Sequence, residues 1–436
     1  MTTPSSALVP ESQFVRWPYQ SAQRAEPAAI LFVLGLILAF NPILMMIAGF
    51  ELRASDVLVP TLSALLFFQG RAEPALKQMP YALIVLASCL GAIYFVLETY
   101  DAHTAAFLGR FLLYGAAAPL MSHVIVRDGV ISRFFRTGVI VGLCVNAILL
   151  LLQRKAPGVL EGLGVVADPE AFKGWVNGTL RSSGLWGHPN EAMAVVTIFC
   201  GIGLGGDALR RENWLSLGLI AIVLTAAAYC TLTRSGLLVI TAALVAQAFR
   251  RGPGAIMLLA ALGVMALALV PAFAPWLIDK IELRSAGMFD NLSERLRTTL
   301  SAAEYAFNHP FGSRIVDLGD EMERSVGIAA THNSLLFMTA ILGLPAGALI
   351  IGRLLTQATA PFGRDIAVLA LVIMLQFMFE EAILGPSIMF AFFLALNADA
   401  PRAAPRAATR IISLQALRKL QSRSATSVNA ARAEQP

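Results

Sequence analysis

Arg181 in RSSGLWGHPNE, Arg234 in TLTRSG and His332 in THNSLLF stand where long apolar segments begin or end. Charged side chains at membrane depth are costly and mark functional positions. A guanidinium is always charged and makes paired hydrogen bonds to phosphate oxygens. Arg181 and Arg234 therefore carry the chemistry to hold a diphosphate and stabilise it as a leaving group. The competing role for each is to snorkel to the interface or to cap a helix end. His332 can accept a proton near neutral pH and so activate a hydroxyl nucleophile. Its competing role is that of an interfacial histidine bonded to the adjoining loop. Asn333 stands beside it as a candidate substrate contact.

Further polar residues surround these three. His188, Pro189 and Asn190 open an apolar segment, where Pro189 suits a first helical turn and Asn190 suits its free amides. His188 reads first as structural, with substrate contact as the alternative. His309 in NHPFGS reads as part of a turn. Arg314 and Arg324 either reach an anionic head group or belong to a solvated loop. Glu380 and Glu381 are adjacent carboxylates near an apolar segment's end and require partners, for which Arg181 and Arg234 are the expected ones. The chain has no Walker loop, no GxGxxG and no HExxH, so nothing points to ATP, NAD or a metal, and no cofactor is expected.

The elements that must position these residues are apolar throughout. Hydrophobic residues make up 57% and charged residues 14% of the 436, against roughly 45–50% and 25% in soluble domains. This predicts an all-α, polytopic membrane protein. Spans of membrane length lie near 28–50, 55–70, 79–97, 104–126, 134–153, 188–206, 213–230, 234–250, 254–272, 332–355, 364–382 and 385–399, about twelve in all. The alternating pattern of a membrane barrel is not seen. Residues 1–27 are polar and carry no signal-peptide core, so the first span is expected to serve as its own insertion signal. Cys89, Cys144, Cys200 and Cys230 all fall in apolar spans without metal-ligand spacing, which argues against zinc and disulfides. The net charge of +5 is spread over loops and tail, and fits anionic lipid rather than nucleic acid.

Alternate loops are basic: Arg71 and Lys77; Arg127, Arg133 and Arg136; Arg210 and Arg211; Arg250 and Arg251; Arg353 and Arg364. The positive-inside rule turns these loops, and both termini, to the cytoplasm. The domains are then a cytoplasmic segment 1–27, a transmembrane domain 28–399 and a basic cytoplasmic tail 400–436. Two long loops, 154–187 and 273–331, face outward with Arg181, Arg234 and His332. In the second, NLSERLRTTLSAAEYAF has helical periodicity through Leu292, Leu296, Leu300 and Ala303, with Asn291 or Ser293 as cap. It predicts a small helical lid at the outer boundary of the membrane. The tail segment TRIISLQALRKLQSR reads as an interfacial amphipathic helix or a disordered basic tail.

Four segments, RSSGLWGHPNEAMA (181–194), TLTRSGLLV (231–239), EYAFNHPFGS (304–313) and THNSLLFMTAILGLPAG (331–347), resemble in order and spacing the O-antigen ligase and Wzy-type polymerase family of bacterial glycosyltransferases. The resemblance covers about 180–400. It implies a GT-C-like membrane fold in the bacterial inner membrane and a metal-independent transfer on the periplasmic face. The implied donor is a glycan on undecaprenyl diphosphate. Carried over, Arg181 and Arg234 hold the diphosphate and His332 is the acceptor's base. The family often has Gly-x-Gly after its His-Pro turn; here Gly312-Ser313-Arg314 follows, which makes Arg314 an extra phosphate candidate.

The resemblance implies polymerisation of exopolysaccharide or O-antigen repeat units, or, as the alternative, ligation of the glycan to a lipid A core acceptor. Other polysaccharide-assembly proteins are candidate partners. A transporter for the same lipid would need cationic residues at several depths, whereas here they collect near one face. A non-catalytic scaffold would make the arginines and histidine silent.

Overall fold

In the computed structural model the residues that can be described are 17–47, 50–68, 101–127, 130–156, 175–176, 179–186, 188–205, 214–257, 260, 288–328, 331–359, 365–380 and 382–397. They are mostly helical. In chain order the elements are α1 (Trp17–Phe40), β1 (Ile43–Ile47), β2 (Phe50–Arg53), α2 (Ala54–Phe68), α3 (Ala102–Ile125), β3 (Val126–Arg127), β4 (Val130–Ile131), α4 (Arg133–Lys155), β5 (Trp175–Val176), β6 (Thr179–Leu180), α5 (Pro189–Leu204), α6 (Trp214–Thr231), α7 (Ser235–Arg251), α8 (Met288–Asn308), α9 (Ile315–Val326), α10 (Ser334–Leu342), α11 (Leu344–Ala358), α12 (Asp365–Phe379) and α13 (Pro386–Asn397). Among the described residues three stretches are long and apolar enough to cross a membrane: Ala102–Ser122, Arg133–Lys155 and Trp214–Thr231. Seven shorter apolar helices accompany them.

α5 and α13 are buried nearly all round. A helix that is apolar on every face belongs inside a bundle, and α5 touches α4, α6, α7, α12 and α13. α1 and α4 pack closest of all. A Cβ on Gly138 would lie 2.0 Å from the carbonyl oxygen of Phe32, and one on Gly35 would lie 2.2 Å from that of Phe135. Small residues let membrane helices approach to backbone contact.

The loops sort to opposite ends of the bundle. At one end Arg136 and the backbone N–H of Ile131 bind Asp365, Gln247 donates to the carbonyl of Gly205 and Arg353 to that of Leu396. At the other, Asn41 binds Ser387, Arg53 binds the carbonyl of Leu185, and the N–H of Ser182 binds the carbonyl of Cys230. Arg181, Arg234 and His332 all lie at this second end, where the 231–234 turn and the turns before α5 and α10 meet.

Several expected spans are corrected. The first ends at Phe40. Asn41 takes a positive φ of 40° and Pro42 follows it, so the apolar run beyond turns into the β1–β2 hairpin. The span expected at 332–355 is two helices, α10 and α11, broken at Gly343, whose φ is 91° and after which Pro345 opens α11. The expected spans at 79–97 and most of 254–272, together with Cys89 and the tail 400–436, lie outside the described residues. Cys144, Cys200 and Cys230 are free thiols.

The helix expected in the long second loop is α8, but it starts at Met288, so Asn291 and Ser293 lie inside it rather than capping it. Its buried face is Thr298, Ala302, Tyr305 and Ala306, and Leu296 and Leu300 are 59% and 61% exposed. The leucines are thus on the outer face, because small residues allow α8 to lie close against α10. A second helix, α9, follows, packed on α8.

Candidate functional site

Arg181 follows directly on the β6 strand and is anchored by its side chain to three neighbours. Its Nε donates to the carbonyl of Thr231 at 2.9 Å, and its Nη2 donates to Asn190 Oδ1 at 2.8 Å and to Thr233 Oγ1 at 3.1 Å. The last residue of α6 and the turn after it therefore fix the guanidinium. That turn is strained: Leu232 has φ +54°, unusual for a residue with a branched side chain. Thr233 also donates to Asn190 Oδ1 at 3.0 Å. Arg234 is the exposed cap residue of α7 in the same turn. Arg234 thus stands in the turn that fixes the Arg181 guanidinium.

Asn190 joins this turn to the far side of the site. Its Nδ2 donates to Glu380 Oε2 at 3.2 Å, just past α12. The ion pair of Glu380 is made with Arg295 of α8, at 3.4 Å, and Arg295 also donates to the carbonyl of Phe379 at 2.5 Å. The expectation that Glu380 would pair directly with Arg181 or Arg234 is corrected: Asn190 stands between Arg181 and Glu380, and an arginine from the loop helix takes the carboxylate. Arg295 was not singled out by sequence, because one of several charges on an amphipathic helix carries no sign of turning inward. Glu381 lies outside the described residues.

The two histidines come from separate turns, each just before its helix. His188 caps α5, its Nδ1 accepting the N–H of Asn190 at 3.1 Å. The proton of the neutral ring then sits on Nε2, which becomes a donor. Burial lowers the pKa of His188, and the charges of Arg181 and His332 lower it further. Burial also lowers that of His332, the Arg295 charge adds to this, and Glu294 opposes it. Both rings are therefore neutral at pH 7, and His332 can accept a proton. His332 holds φ +51°, the second strained non-glycine position of the site.

Asn333 has its side-chain oxygen on the N–H groups of Leu335 and Leu336, capping α10. That oxygen therefore fixes the helix start beside His332. Ser334 donates to the carbonyl of Glu380 at 2.7 Å and accepts the N–H of Ala382. It locks the His332 turn to the Glu380 turn, a link the sequence did not suggest. Arg314 holds Asp317 through two bonds, of 2.7 Å and 2.5 Å, beside Asp101 and Tyr305. The guanidinium expected as an extra phosphate contact is thus shared with an acidic near neighbour in sequence. His309 stacks on Tyr305 with centroids 4.1 Å apart, in the structural role expected of it.

A second polar group at the same end was also not anticipated. The guanidinium of the buried Arg53 lies 4.3 Å over the Trp186 ring and donates to the carbonyls of Asn41 and Leu185. Asp56 accepts from Arg110 at 3.1 Å and from Tyr114 at 2.9 Å.

No protein-family model matches this chain, and no curated protein matches it either. What fold and site define together is a mostly helical protein with apolar helices of membrane length and a polar site at one end of its bundle.

Proposed function

We propose that the chain is a membrane glycosyltransferase that takes a glycan from undecaprenyl diphosphate on the periplasmic face of the bacterial inner membrane and polymerises exopolysaccharide or O-antigen repeat units. What supports this is one observation: Arg181, Asn190, Thr233, Glu380, Arg295 and the two histidines come from turns and helices distant in sequence and meet at one end of an apolar bundle. A cationic, hydrogen-bonded site beside neutral histidines suits transfer from an anionic lipid carrier. Arg136 and Arg353, both at the opposite end, support a cytoplasmic face there.

In this reading Arg181 and Arg234 hold the diphosphate. The acceptor hydroxyl attacks the anomeric carbon, and His332 takes its proton. The new C–O bond forms as the bond to the diphosphate breaks, the diphosphate leaves with the electron pair, and the anomeric centre inverts.

Purified protein in membrane, supplied with its lipid-linked glycan, tests this on a gel that resolves chain length. A ladder of lengthening glycans identifies a polymerase. A single shift onto added lipid A core identifies a ligase instead. No transfer, with folded protein and native donor, rejects the reading.

A further inference from the structure

Glu380 follows the last residue of α12 and is 4% exposed, yet it is bonded on three sides. Its two carboxylate oxygens are divided: Oε2 accepts from Asn190 Nδ2 at 3.2 Å and Oε1 from Arg295 Nη2 at 3.4 Å. Its main-chain carbonyl accepts from Ser334 Oγ at 2.7 Å. The first bond leads to Arg181, the second to the loop helix α8 and the third to the turn that carries His332. We propose that Glu380 is the positioning residue of the site, setting the Arg181 guanidinium through Asn190 and the His332 turn through Ser334. The proposal rests on the glycosyl-transfer reading above.

The side chain acts through polarity. A carboxylate only accepts hydrogen bonds and a guanidinium only donates them. Asn190 lies between one of each, so its nitrogen must face Glu380 and its oxygen must face Arg181 Nη2, at 2.8 Å. Thr233 donates to the same oxygen at 3.0 Å and accepts from Arg181 at 3.1 Å, which closes a triangle about the guanidinium. Turned over, the Asn190 amide would set its N–H groups against Arg181, and the guanidinium would lose that brace. Glu380 opposes the turn, because the Asn190 oxygen would then meet a carboxylate oxygen with no proton between them. Arg295, which also donates to the Phe379 carbonyl at 2.5 Å, keeps the carboxylate in place from the other side.

The main chain of Glu380 acts against strain. His332 holds φ +51°, a conformation that persists only where its surroundings over-determine it. Ser334, two residues on and fully buried, supplies a lock. Its hydroxyl donates to the Glu380 carbonyl and accepts the N–H groups of Ala382 at 2.7 Å and Ile383 at 3.3 Å. One residue thus holds both the donor side and the acceptor side of the proposed reaction.

The test reverses the polarity. Purified full-length protein in membrane is assayed for binding of undecaprenyl diphosphate without its glycan, and for glycan transfer at saturating donor. In Glu380→Gln the new amide meets either Asn190 or Arg295 donor to donor, and carrier binding should weaken about tenfold, the worth of a hydrogen bond to a charged group. Asn190→Asp sets two carboxylates face to face and should weaken it likewise. The double variant Glu380→Gln/Asn190→Asp restores an unbroken chain: the new carboxylate at 190 accepts from Arg181 and from the new amide at 380, whose oxygen accepts from Arg295. It keeps the net charge and should regain most of the lost binding, which a merely structural role of Glu380 would not bring about. Arg295→Met, at a side chain 39% exposed, loosens the carboxylate without touching the buried residues and should weaken carrier binding in the same direction. Ser334→Ala should leave carrier binding unchanged and slow saturated transfer about tenfold. Unchanged binding in both Glu380→Gln and Arg295→Met overturns the proposal, as does a folded double variant that recovers nothing, or wild-type transfer in Ser334→Ala. Wild-type protein that transfers no glycan from its native donor removes the transferase reading instead, and the hold of Glu380 on Arg181 is still read by carrier binding alone.

Discussion

Asn190 accepts a hydrogen bond from the guanidinium of Arg181 at 2.8 Å with one end of its side-chain amide, and with the other end donates to Glu380 at 3.2 Å. A carboxamide does both at once, with its oxygen and its nitrogen facing opposite partners. A carboxylate would face Glu380 as a like charge, and an apolar side chain would leave both partners short of a bond. Asn190→Leu should therefore lower glycan transfer by roughly 10–100-fold, the worth of hydrogen bonds to charged groups. Transfer rates at matched protein levels check this, and an unchanged rate would remove Asn190 from the site.

The pH dependence follows from the histidines. With burial and neighbouring positive charge holding His332 below its usual range, activity that needs the neutral ring is full above that range and falls as the medium acidifies. Arg295 is one of the causes, so Arg295→Gln should raise the pKa of His332 and move the acid limb of the rate profile to higher pH. Arg295→Lys, which keeps the charge, should move it much less. An acid limb unchanged by Arg295→Gln would show that its charge does not reach His332.

Stability should respond to acid with the same sign. The folded-state pKa values of His188 and His332 lie below the unfolded value, so the unfolded chain binds protons more readily. Their contribution is whole above about 6.5, the unfolded value, and is lost as the pH falls below it through the folded values. A melting temperature that drops over this window in wild type, and drops less in His188→Asn, is the expected result.

The α1–α4 crossing should tolerate no side chain at its centre. Gly138→Ala puts a Cβ against the Phe32 carbonyl, an overpacking that costs about 1–3 kcal/mol. Gly218→Ala on α6, where nothing lies within 4 Å, is the matched control and should be neutral or slightly stabilising. Thermal unfolding in detergent separates the two.

Much of this arrangement was legible in the sequence. The apolar runs at 134–153 and 213–230 became α4 and α6 within two residues at each end, because a long apolar run flanked by polar residues leaves little choice. The candidates Arg181, His188 and Asn190 were legible in the RSSGLWGHPNE segment, but Asn190 was expected to satisfy the free amides of α5, a role that His188 takes while Asn190 turns to Arg181 and Glu380. The β1–β2 hairpin was not, since a short apolar run reads alike as helix and as strand. Nor was the break at Gly343, where a glycine and a proline two residues on outweighed continuous hydropathy. The hidden parts of the site are side-chain partnerships. Arg295 with Glu380, Ser334 with the Glu380 turn, and Arg53 over Trp186 join residues far apart in the chain, and nothing in local pattern says which of many arginines meets which acid.

The claim on which the rest depends is that His332 takes the acceptor's proton. His332→Ala, expressed at wild-type level and assayed for glycan chain length with the native lipid-linked donor, measures it most directly. Loss of long polymer, with binding of the donor retained, is the predicted result. Normal long polymer from the His332→Ala protein would contradict it.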